Sequence, residues 1–552
     1  MAAPGVDETP SDKGAMVSHR THTTDFIVVG AGASGSVVAR RLLDRGYSVH
    51  VLEAGPADIN PDIHISSRWP ALLHSGQDWA FMTTPQRHAN NRRLYWLRGK
   101  VLGGSSSLNG QIYIRGHRSD YDEWAQLGCK GWDFESILPL FLRSEDHVDG
   151  ASRWHGAGGP LPVERITRPN PTSVAFIDAA SALGHPVIDD FNGPRQAGVG
   201  YSQVTTRNGR RASAWRSFMA PVRGNPRLAV TTGALVHHAV IRGGRAVGVQ
   251  YSARGQILQA SADSEVVLCA GTVGSPKLLM LSGIGPAEHL TEIGVKATVD
   301  LPGVGENLHD HLLVSNIYEA ARPMEPPHHN LLECQLFTST AYWRGPGPDL
   351  QPLFMHLVYP AEGYPVPRNG YTIAPSIIRP RSRGILRLVS ADPAAAPRCD
   401  PNVLAEPYDV EALVDAVEIC REIGASAAFD EWRYAEVAPG PAARTRDHLR
   451  AYVRRAVGSY HHQVGTCRMG VDDDAVVTPD LRVRGVAGLR VADVSVMPSI
   501  TAGNTHAPAI MIGEKASDLI MGAPVSRGVT AATARHDPRG RAVAAGRPQE
   551  SR

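Results

Sequence analysis

The chain has 552 residues, of which 42% are hydrophobic and 20% are charged, so it can bury more than one core and form two or more domains. Its 56 Lys and Arg residues nearly balance its 54 Asp and Glu residues, and the net charge of +2 excludes a charge-driven role in binding nucleic acid or an anionic membrane. No apolar run reaches the roughly 18 residues that a membrane span needs, and six scattered cysteines without a Cys-x-x-Cys pair favour reduced thiols and a cytoplasmic location.

The first predicted elements are a strand and a helix joined by a glycine-rich loop. An apolar run at residues 26–29 precedes a helix-like segment, and between them lies the loop Gly30-Ala31-Gly32-Ala33-Ser34-Gly35. Gly30 permits a tight turn, Gly32 lets the backbone approach a pyrophosphate, and Gly35 lets the helix pack against the strand. Free N–H groups in the first helical turn, at Ala33 and Ser34, favour phosphate. The loop therefore predicts a Rossmann-like dinucleotide site.

A second predicted strand, at residues 48–52, ends at Glu53. An acidic side chain at this position accepts hydrogen bonds from a ribose diol and repels a 2′-phosphate. The spacing from Gly35 therefore indicates an adenine dinucleotide and disfavours NADP.

A second glycine-rich loop, at residues 99–109, follows these elements and favours FAD over NAD. Its candidate cofactor residues are Gly103, Gly104, Ser105 and Asn109. Beyond it, hydrophobic patterning predicts helices at 133–145 and 409–423 and strands at 227–231, 235–240, 246–251 and 265–269.

Three segments carry a resemblance to a known family. Residues 99–116 match the first signature of the glucose–methanol–choline oxidoreductases, residues 271–285 match the second, and residues 301–311 are also typical of the family. The chain resembles this family from about residue 25 to residue 522. The resemblance implies an α/β fold in which a Rossmann-like FAD-binding domain is interleaved with an α+β substrate-binding domain.

The resemblance also implies how the cofactor binds. FAD is expected in an extended pose, with its isoalloxazine ring against residues 103–112. Asp493 is expected beside the pyrophosphate or ribityl chain, the backbone of Val236 beside the adenine, and Asn504 next to the cofactor. Some relatives tether the flavin through a histidine at the position of Leu108, so the resemblance implies non-covalent FAD here.

The expected organisation has one domain interrupted by another. The predicted segments are a disordered arm at 1–23, a mainly FAD-binding region at 24–310 with part of the substrate lobe near 160–210, a substrate-binding domain at 311–460, a return to the FAD domain at 461–522 and a disordered tail at 523–552.

Two distant histidines are the candidate catalytic residues. Flavin-dependent alcohol oxidation needs a neutral base at the hydroxyl group, and histidine suits this task because its pKa lies near neutrality. The family motif assigns the base to His462 and the partner that holds the substrate oxygen to His506. His461 is expected to line the substrate pocket. A zinc site that also includes Cys467 has no recognisable ligand spacing, so we expect no metal.

The substrate is expected to be a small-molecule primary alcohol of a sugar, an amino sugar or an aryl-methyl compound. Glu333 is a candidate for pairing with an amine on the substrate, although a structural hydrogen bond is an equal interpretation. Choline is disfavoured because Leu331, Leu332 and His461 stand where an aromatic cage needs rings. Oxygen or another acceptor must reoxidise the flavin, and the sequence leaves this choice and the oligomeric state open.

Other functions stay open as alternatives. A choline- or polyol-type dehydrogenase would use a non-oxygen acceptor, and a hydroxynitrile lyase on the same fold would use the histidines to split a cyanohydrin. An NAD-dependent dehydrogenase would be colourless when purified. A flavin-binding protein without turnover would be yellow, and its flavin would stay oxidised with every alcohol.

Overall fold

The computed structural model describes residues 22–522. The predicted arm, except for the two residues that begin the first strand, and the predicted tail lie outside the described residues. No helix among residues 22–522 is long and apolar enough to cross a membrane. The α-helices of this part are α1 (Ala33–Asp44), α2 (Arg118–Gln126), α3 (Phe134–Ser144), α4 (Pro171–Ala182), α5 (Gly271–Leu281), α6 (Ala287–Glu292), α7 (Pro407–Ala425), α8 (Arg446–Ala456) and α9 (His506–Met521).

The strands are mostly short and are spread along the chain. In chain order they are β1 (His22–Val29), β2 (Val49–Glu53), β3 (Phe81–Met82), β4 (Tyr95–Trp96), β5 (Glu145–His147), β6 (Leu161–Arg165), β7 (Gly198–Tyr201), β8 (Gln203–Val204), β9 (Thr206–Arg207), β10 (Arg210–Arg211), β11 (Leu228–Thr232), β12 (Leu235–Arg242), β13 (Arg245–Ala253), β14 (Gln256–Leu268), β15 (Ile284–Gly285), β16 (Val299–Asp300), β17 (Leu312–Leu313), β18 (Asn316–Ala320), β19 (Cys334–Phe337), β20 (Leu353–Met355), β21 (Gly370–Ala374), β22 (Ser376–Ile377), β23 (Ile385–Arg387), β24 (Arg398–Asp400), β25 (Arg433–Ala438), β26 (Gly458–Ser459) and β27 (Leu489–Val491).

The first large sheet has a parallel centre. Strand β1 pairs in parallel with β2 on one side and with β14 on the other, and β11 and β27 extend this parallel part. The hairpin of β12 and β13 continues the sheet in antiparallel pairing with the first half of β14. Parallel pairing places the carboxyl ends of β1, β2 and β14 at one edge, where helices α1 and α5 begin. Ligands of open α/β sheets bind at such an edge.

The second large sheet is antiparallel and has the strand order β25-β18-β21-β20-β19-β7. Helices α4 and α7 pack against it. Their shared core contains six buried aromatic side chains, those of Phe176, Tyr318, Phe354, Tyr371, Phe429 and Trp432. Strand β7 comes from the 160–210 region and pairs with β19. The complete division of the chain into domains stays a prediction.

Helix α9 returns the chain to the first sheet and packs against α1 and α3. The contact with α1 is close because Gly513 lacks a side chain, and a Cβ there would lie 2.7 Å from the carbonyl oxygen of Ser34. This packing places the first turn of α9 beside the start of α1, where the hydroxyl of Ser34 donates a hydrogen bond to the carbonyl of Ala509 at 2.7 Å.

A buried carboxylate also anchors α9. Glu514 is 0% exposed, and its Oε1 and Oε2 lie 2.6 Å from the guanidinium groups of Arg41 in α1 and Arg143 in α3, respectively. The hydroxyl of Ser144 donates a third bond to Oε1, at 2.7 Å. The three helices are therefore joined through one charged group whose removal leaves two arginines without their buried partner.

Replacement of this anchor tests its contribution to stability. We expect Glu514→Leu to lower the free energy of unfolding by about 3–5 kcal/mol, the usual cost of breaking a buried ion pair on one side. The matched control is Asp518→Asn, which removes a contact of Arg143 at a side chain that is 25% exposed and costs about 1 kcal/mol or less. Urea unfolding followed by tryptophan fluorescence measures both changes, and equal effects would contradict the anchor.

Candidate active site

A long cavity runs from the loop edge of the first sheet to the second sheet. The glycine-rich loop, the end of β2, the second loop, the start of α5 and the start of α9 all contribute to its wall. The predicted residues that line it are Gly30, Gly32, Ala33, Ser34, Glu53, Gly104, Ser105, Asn109, Val236, His461, His462, Asp493, Asn504 and His506. The structure therefore brings most of the predicted site residues together.

The first loop has the geometry that its glycines predict. Gly30 has a φ of +99°, in the region that favours glycine. A Cβ on Gly32 would meet no other atom of the described part of the chain within 4 Å, so this position leaves open space in the cavity. Gly35 lies outside the cavity wall, and a Cβ there would lie 2.0 Å from the carbonyl oxygen of Gly30. Gly35 thus allows close packing and does not itself contact the cavity.

Glu53 is held rigidly at the end of β2. Its Oε2 accepts a hydrogen bond from the backbone N–H of Ala31 at 2.9 Å, and its Oε1 accepts one from that of Gly55 at 2.8 Å. Burial raises the pKa of this carboxyl group to about 7. The side chain thus offers fixed oxygen atoms at the cavity wall, where the sequence predicts a ribose.

The second loop lies against the first. A Cβ on Gly104 would be 2.8 Å from the Cα of Gly32, so the two backbones are in direct contact. Gly103 has a φ of +93° and lies behind the cavity wall, where it shapes the turn. The contact of Gly103 with the cofactor stays a prediction. The side-chain oxygen of Asn109 accepts a hydrogen bond from buried Arg211 at 2.7 Å.

Asp493 follows β27 in the chain and lies in space beside the start of α5. Its carboxylate accepts hydrogen bonds from the backbone N–H groups of Gly271 and Ser495, both at 2.9 Å, and from the hydroxyl of Ser275 at 2.5 Å. Burial raises the pKa of Asp493 above its usual value. These bonds fix the segment that follows β27 beside the cavity.

His462 is bonded through both ring nitrogens. Its Nδ1 is 3.0 Å from Nδ1 of His311, and its Nε2 is 3.4 Å from Nδ2 of Asn504. The ring stacks on Tyr460, with 4.5 Å between the ring centroids. Burial lowers the pKa of His462 well below the usual value, and the neighbouring His311 adds to this effect. His462 is therefore a neutral imidazole at physiological pH.

His506 is the first residue of α9 and faces the same cavity. Neither of its ring nitrogens has a hydrogen-bond partner among the described residues. Burial lowers its pKa to about 4. A neutral imidazole with two free nitrogens is suited to a bound group in the cavity, because buried polar atoms are otherwise costly.

His461 belongs to the cavity wall. The backbone of His461 has a φ of +63° and turns at this residue, directly before His462. Nδ1 of His461 accepts a hydrogen bond from the backbone N–H of Leu97 at 3.2 Å, and Nε2 lies 3.5 Å from the hydroxyl of Tyr359. These contacts direct the His461 ring into the wall and leave Nε2 of His462 beside Asn504.

Glu333 does not line the cavity, so its predicted role in binding the substrate is wrong for this structure. The side chain is 1% exposed, and its Oε2 accepts hydrogen bonds from the backbone N–H of Asn170 at 2.7 Å and the hydroxyl of Ser173 at 2.8 Å. The neighbouring residue Leu332, in the segment that precedes β19, lines the cavity instead. Glu333 therefore stabilises the N-terminus of α4 through these two hydrogen bonds.

Sequence reasoning missed the groups that support His462. The carboxylate of buried Asp310 accepts hydrogen bonds from the backbone N–H of His462 and the side-chain amide of Gln463, both at 2.8 Å. His311 contacts the ring of His462 directly. Asp310 and His311 are the last two residues of the 301–311 motif, so the motif was recognised in the sequence but these two residues were given no role.

The apolar part of the wall was also missed. Rings and aliphatic side chains from distant segments line the histidine end of the cavity and form one cluster, which includes Trp69, Ile112, Leu313, Leu332, Leu353, Met355 and Tyr460. A guanidinium group, that of Arg98, also lines the cavity and donates a hydrogen bond to the carbonyl of His461.

Comparison with known proteins identifies the family. The N-terminal and C-terminal models of the GMC oxidoreductases match residues 24–313 and 380–513. The chain is 40% identical over 532 residues to an oxygen-dependent choline dehydrogenase of Brucella suis biovar 1 and 39% identical over 528 residues to one of Rhizobium rhizogenes. Both alignments cover 91% of this chain and 96% of the relative.

Solved structures agree with this family. Pyridoxine 4-oxidase from Mesorbium loti superposes with a TM-score of 0.86 and 34% identity over 89% of this chain and 98% of that chain. Formate oxidase from Aspergillus oryzae, described for its FAD modification, gives a TM-score of 0.83 and 27% identity over 91% of this chain and 98% of that chain. The predicted fold class and enzyme class are thereby confirmed. The chain belongs to the GMC oxidoreductase family and is an FAD-dependent oxidoreductase that acts on CH–OH donors.

Proposed function

We propose that this enzyme oxidises the primary alcohol of an uncharged, ring-bearing compound, of the aryl-methyl type, to an aldehyde. His462 takes the hydroxyl proton on Nε2, and His506 and Asn504 hold the substrate oxygen. FAD, when bound, accepts the hydride from the carbinol carbon. The observation that carries the proposal is a cavity end at which neutral imidazoles meet an apolar, aromatic wall, and no described residue that lines this end has a carboxylate.

The two histidines suit these tasks because both are uncharged. A neutral imidazole has a lone pair for the proton of an alcohol, and a positioned base contributes about 10²–10⁴-fold to such a reaction. The second imidazole and the amide of Asn504 can donate hydrogen bonds to the oxygen as negative charge develops on it. Helix α9 begins here, and its N-terminus also favours negative charge.

The charges along the wall disfavour a cationic substrate. The carboxylates among the described lining residues are Glu53 and Asp493, and both accept backbone hydrogen bonds at the ends of β2 and β27. Arg98 is a cation next to His461. A quaternary ammonium group at the histidine end would therefore meet the like charge of Arg98 and no carboxylate among the described lining residues, whereas an uncharged ring meets Trp69 and Tyr460. Pyridoxine 4-oxidase, with 34% identity, supports a hydroxymethyl group on a ring.

Choline is the second candidate, because choline dehydrogenases are 40% identical to this chain over nearly its whole length. Trp69, Tyr359 and Tyr460 line the cavity and could contact an ammonium group through their rings. The two candidates differ in charge, so a direct comparison of substrates separates them.

The described residues fit FAD. Gly32 leaves open space at the start of α1, where a pyrophosphate would lie, and Glu53 would accept hydrogen bonds from the ribose. Ser105 and Asn109 of the second loop and Asp493 would contact the rest of the cofactor. The ring nitrogens of His506 have no hydrogen-bond partner within residues 22–522 and are available at the flavin end.

The FAD is proposed to be non-covalent. The side chain of Leu108 cannot form a bond to the flavin, and burial raises the pKa of the cavity thiol Cys269 well above its usual value, so that thiol is protonated and unreactive. We expect acid precipitation of the purified protein to release the whole flavin into the supernatant. Flavin absorbance that stays with the washed pellet would show a covalent bond.

Two glycines of the first loop separate binding from folding. We expect Gly32→Ala to fold normally but to weaken FAD binding about tenfold or more, or about 1.4 kcal/mol, because the new methyl group enters the open space in the cavity. Gly35→Ala should instead destabilise the apoprotein, because a Cβ at this position would lie 2.0 Å from the carbonyl oxygen of Gly30. Thermal unfolding of the apoproteins and FAD titration measure the two effects. If both variants show the same change in FAD affinity and in apoprotein stability, the assignment of Gly32 to cofactor binding and of Gly35 to folding is wrong.

The substrate class is tested by anaerobic mixing of the FAD-loaded enzyme with a panel of alcohols. Benzyl-type and hydroxymethylpyridine alcohols should bleach the flavin, whereas choline, glucose and an amino sugar should bleach it slowly or not at all. Faster bleaching by choline would favour the second candidate, and cyanide release from a cyanohydrin without bleaching would indicate a lyase.

His462→Ala should keep FAD and slow bleaching by about 10²–10⁴-fold. Air then distinguishes an oxidase, which recovers its colour, from a dehydrogenase.

A further inference from the structure

We propose that Arg211 is a buried cation that stabilises the negative charge which hydride transfer places on the acceptor ring of FAD. This inference rests on the proposed function, in which that ring must reach the carbinol carbon at the histidine end of the cavity. Arg211, the last residue of β10, is 4% exposed and does not line the cavity. Its charge therefore acts from behind the cavity wall and not by contact.

Arg211 is bonded to the part of the second glycine-rich loop that lines the cavity. Its Nη1 donates hydrogen bonds to the backbone carbonyl of Asn109 at 2.6 Å and to Oδ1 of the same residue at 2.7 Å. The same nitrogen donates to the carbonyl oxygen of Ser106 at 3.2 Å. Ser106 and Asn109 both line the cavity. The guanidinium group therefore lies directly behind the wall that these two residues form.

The charge of Arg211 also reaches the histidine end of the cavity. Burial, and after it the charge of Arg211, lowers the pKa of His506 to about 4. In the proposed function His506 holds the substrate oxygen, and the hydride leaves the carbon atom that is bonded to this oxygen. The acceptor ring must therefore meet the substrate close to the place where this cation acts.

No hydrogen-bond acceptor of Arg211 within residues 22–522 is a carboxylate. All of its acceptors there are carbonyl oxygens, and the remaining bond runs from Nε to the carbonyl of Ile63 at 2.7 Å. Its Nη2 is buried and has no hydrogen-bond partner in this part of the chain. Burial lowers the pKa of Arg211 to about 9, so the group still carries its charge at pH 7. A buried charge without a counterion is destabilising.

Two other arginines near the cavity differ in this respect. Arg98 lines the cavity, and the carboxylates of Asp310 and Asp78 interact with its charge. Arg216 follows Arg211 in the chain and forms an ion pair with Asp58 at 2.8 Å. The charge of Arg211 is compensated in neither way, which indicates that its anion arises in another state of the enzyme.

The proposed reaction supplies this anion. The hydroxyl proton moves to Nε2 of His462, and the hydrogen on the carbinol carbon leaves with both electrons of its bond. The alcohol becomes a neutral aldehyde, the imidazole gains one positive charge and the acceptor ring gains one negative charge. Since the ring is neutral when oxidised, the cation of Arg211 favours the reduced cofactor and raises its reduction potential.

The test measures the two-electron midpoint potential of the FAD-loaded protein by equilibration with a reference dye. Arg211→Gln removes the charge but keeps a donor for Asn109, whereas Arg211→Lys keeps the charge and changes the donor geometry. The measurement is made at about pH 6, where a buried lysine keeps its charge better than at neutral pH. Arg216→Gln is the matched control, since Asp58 already compensates the charge of Arg216.

In Arg211→Gln we expect the affinity for reduced FAD, relative to that for oxidised FAD, to fall about tenfold, which lowers the potential of a two-electron couple by about 30 mV. Arg211→Lys and Arg216→Gln should stay close to the parent protein. If the hydrogen bonds of Arg211 alone mattered, its two replacements would change the potential alike. An unchanged potential in Arg211→Gln, or an equal fall in Arg211→Lys, would overturn the role of the charge.

The measurement needs no alcohol, so it tests Arg211 even if no alcohol of the panel bleaches the flavin and the proposed function fails. If the variants of Arg211 do not fold or do not bind FAD, the parent protein decides the matter. A midpoint potential that falls by about 30 mV per pH unit near pH 6 shows one proton for two electrons, hence an anionic reduced ring, and supports the inference. A fall of about 60 mV per unit shows a second proton on the ring and overturns it.

Discussion

Direct contact between two glycine-rich backbones is the constraint on which the rest of the site depends. Gly104 lies against Gly32, and Gly35 lies against Gly30, at distances that leave no room for a Cβ. The first contact brings the second loop onto the start of α1, and the second brings α1 onto β1. Because backbone rather than side chains forms this part of the wall, N–H groups and open space remain available to a phosphate group.

Motifs and periodic patterns predicted much of the fold and part of the site. The helix predicted at 409–423 is α7 (Pro407–Ala425), and the one at 133–145 is α3 (Phe134–Ser144). Strand β14 (Gln256–Leu268) begins well before the predicted 265–269, because its first half, which mixes apolar and polar residues, pairs with β13 and β1. Tertiary pairing, which leaves no local pattern, therefore decided that boundary.

The direction of individual polar side chains could not be predicted in the same way. Glu333 was a candidate for the substrate pocket, yet its carboxylate accepts hydrogen bonds at the N-terminus of α4. His311 carried no predicted role, although it contacts His462. In both cases the partner lies more than a hundred residues away, so a single sequence shows the chemistry of the side chain but not the contact that uses it.

The second sheet does more than enclose a substrate. Gln335 lies in β19 and orients Gln351, which in turn bonds Asn504 beside His462. The atoms proposed to hold the substrate oxygen are thus oriented by the lobe that would recognise the rest of the substrate. A change in the apolar wall that shifts β19 would reach the amide of Asn504 through two hydrogen bonds. In the proposed function, substrate preference and proton transfer are therefore coupled through the same strand, although the proposed base, His462, is held by the 301–311 motif.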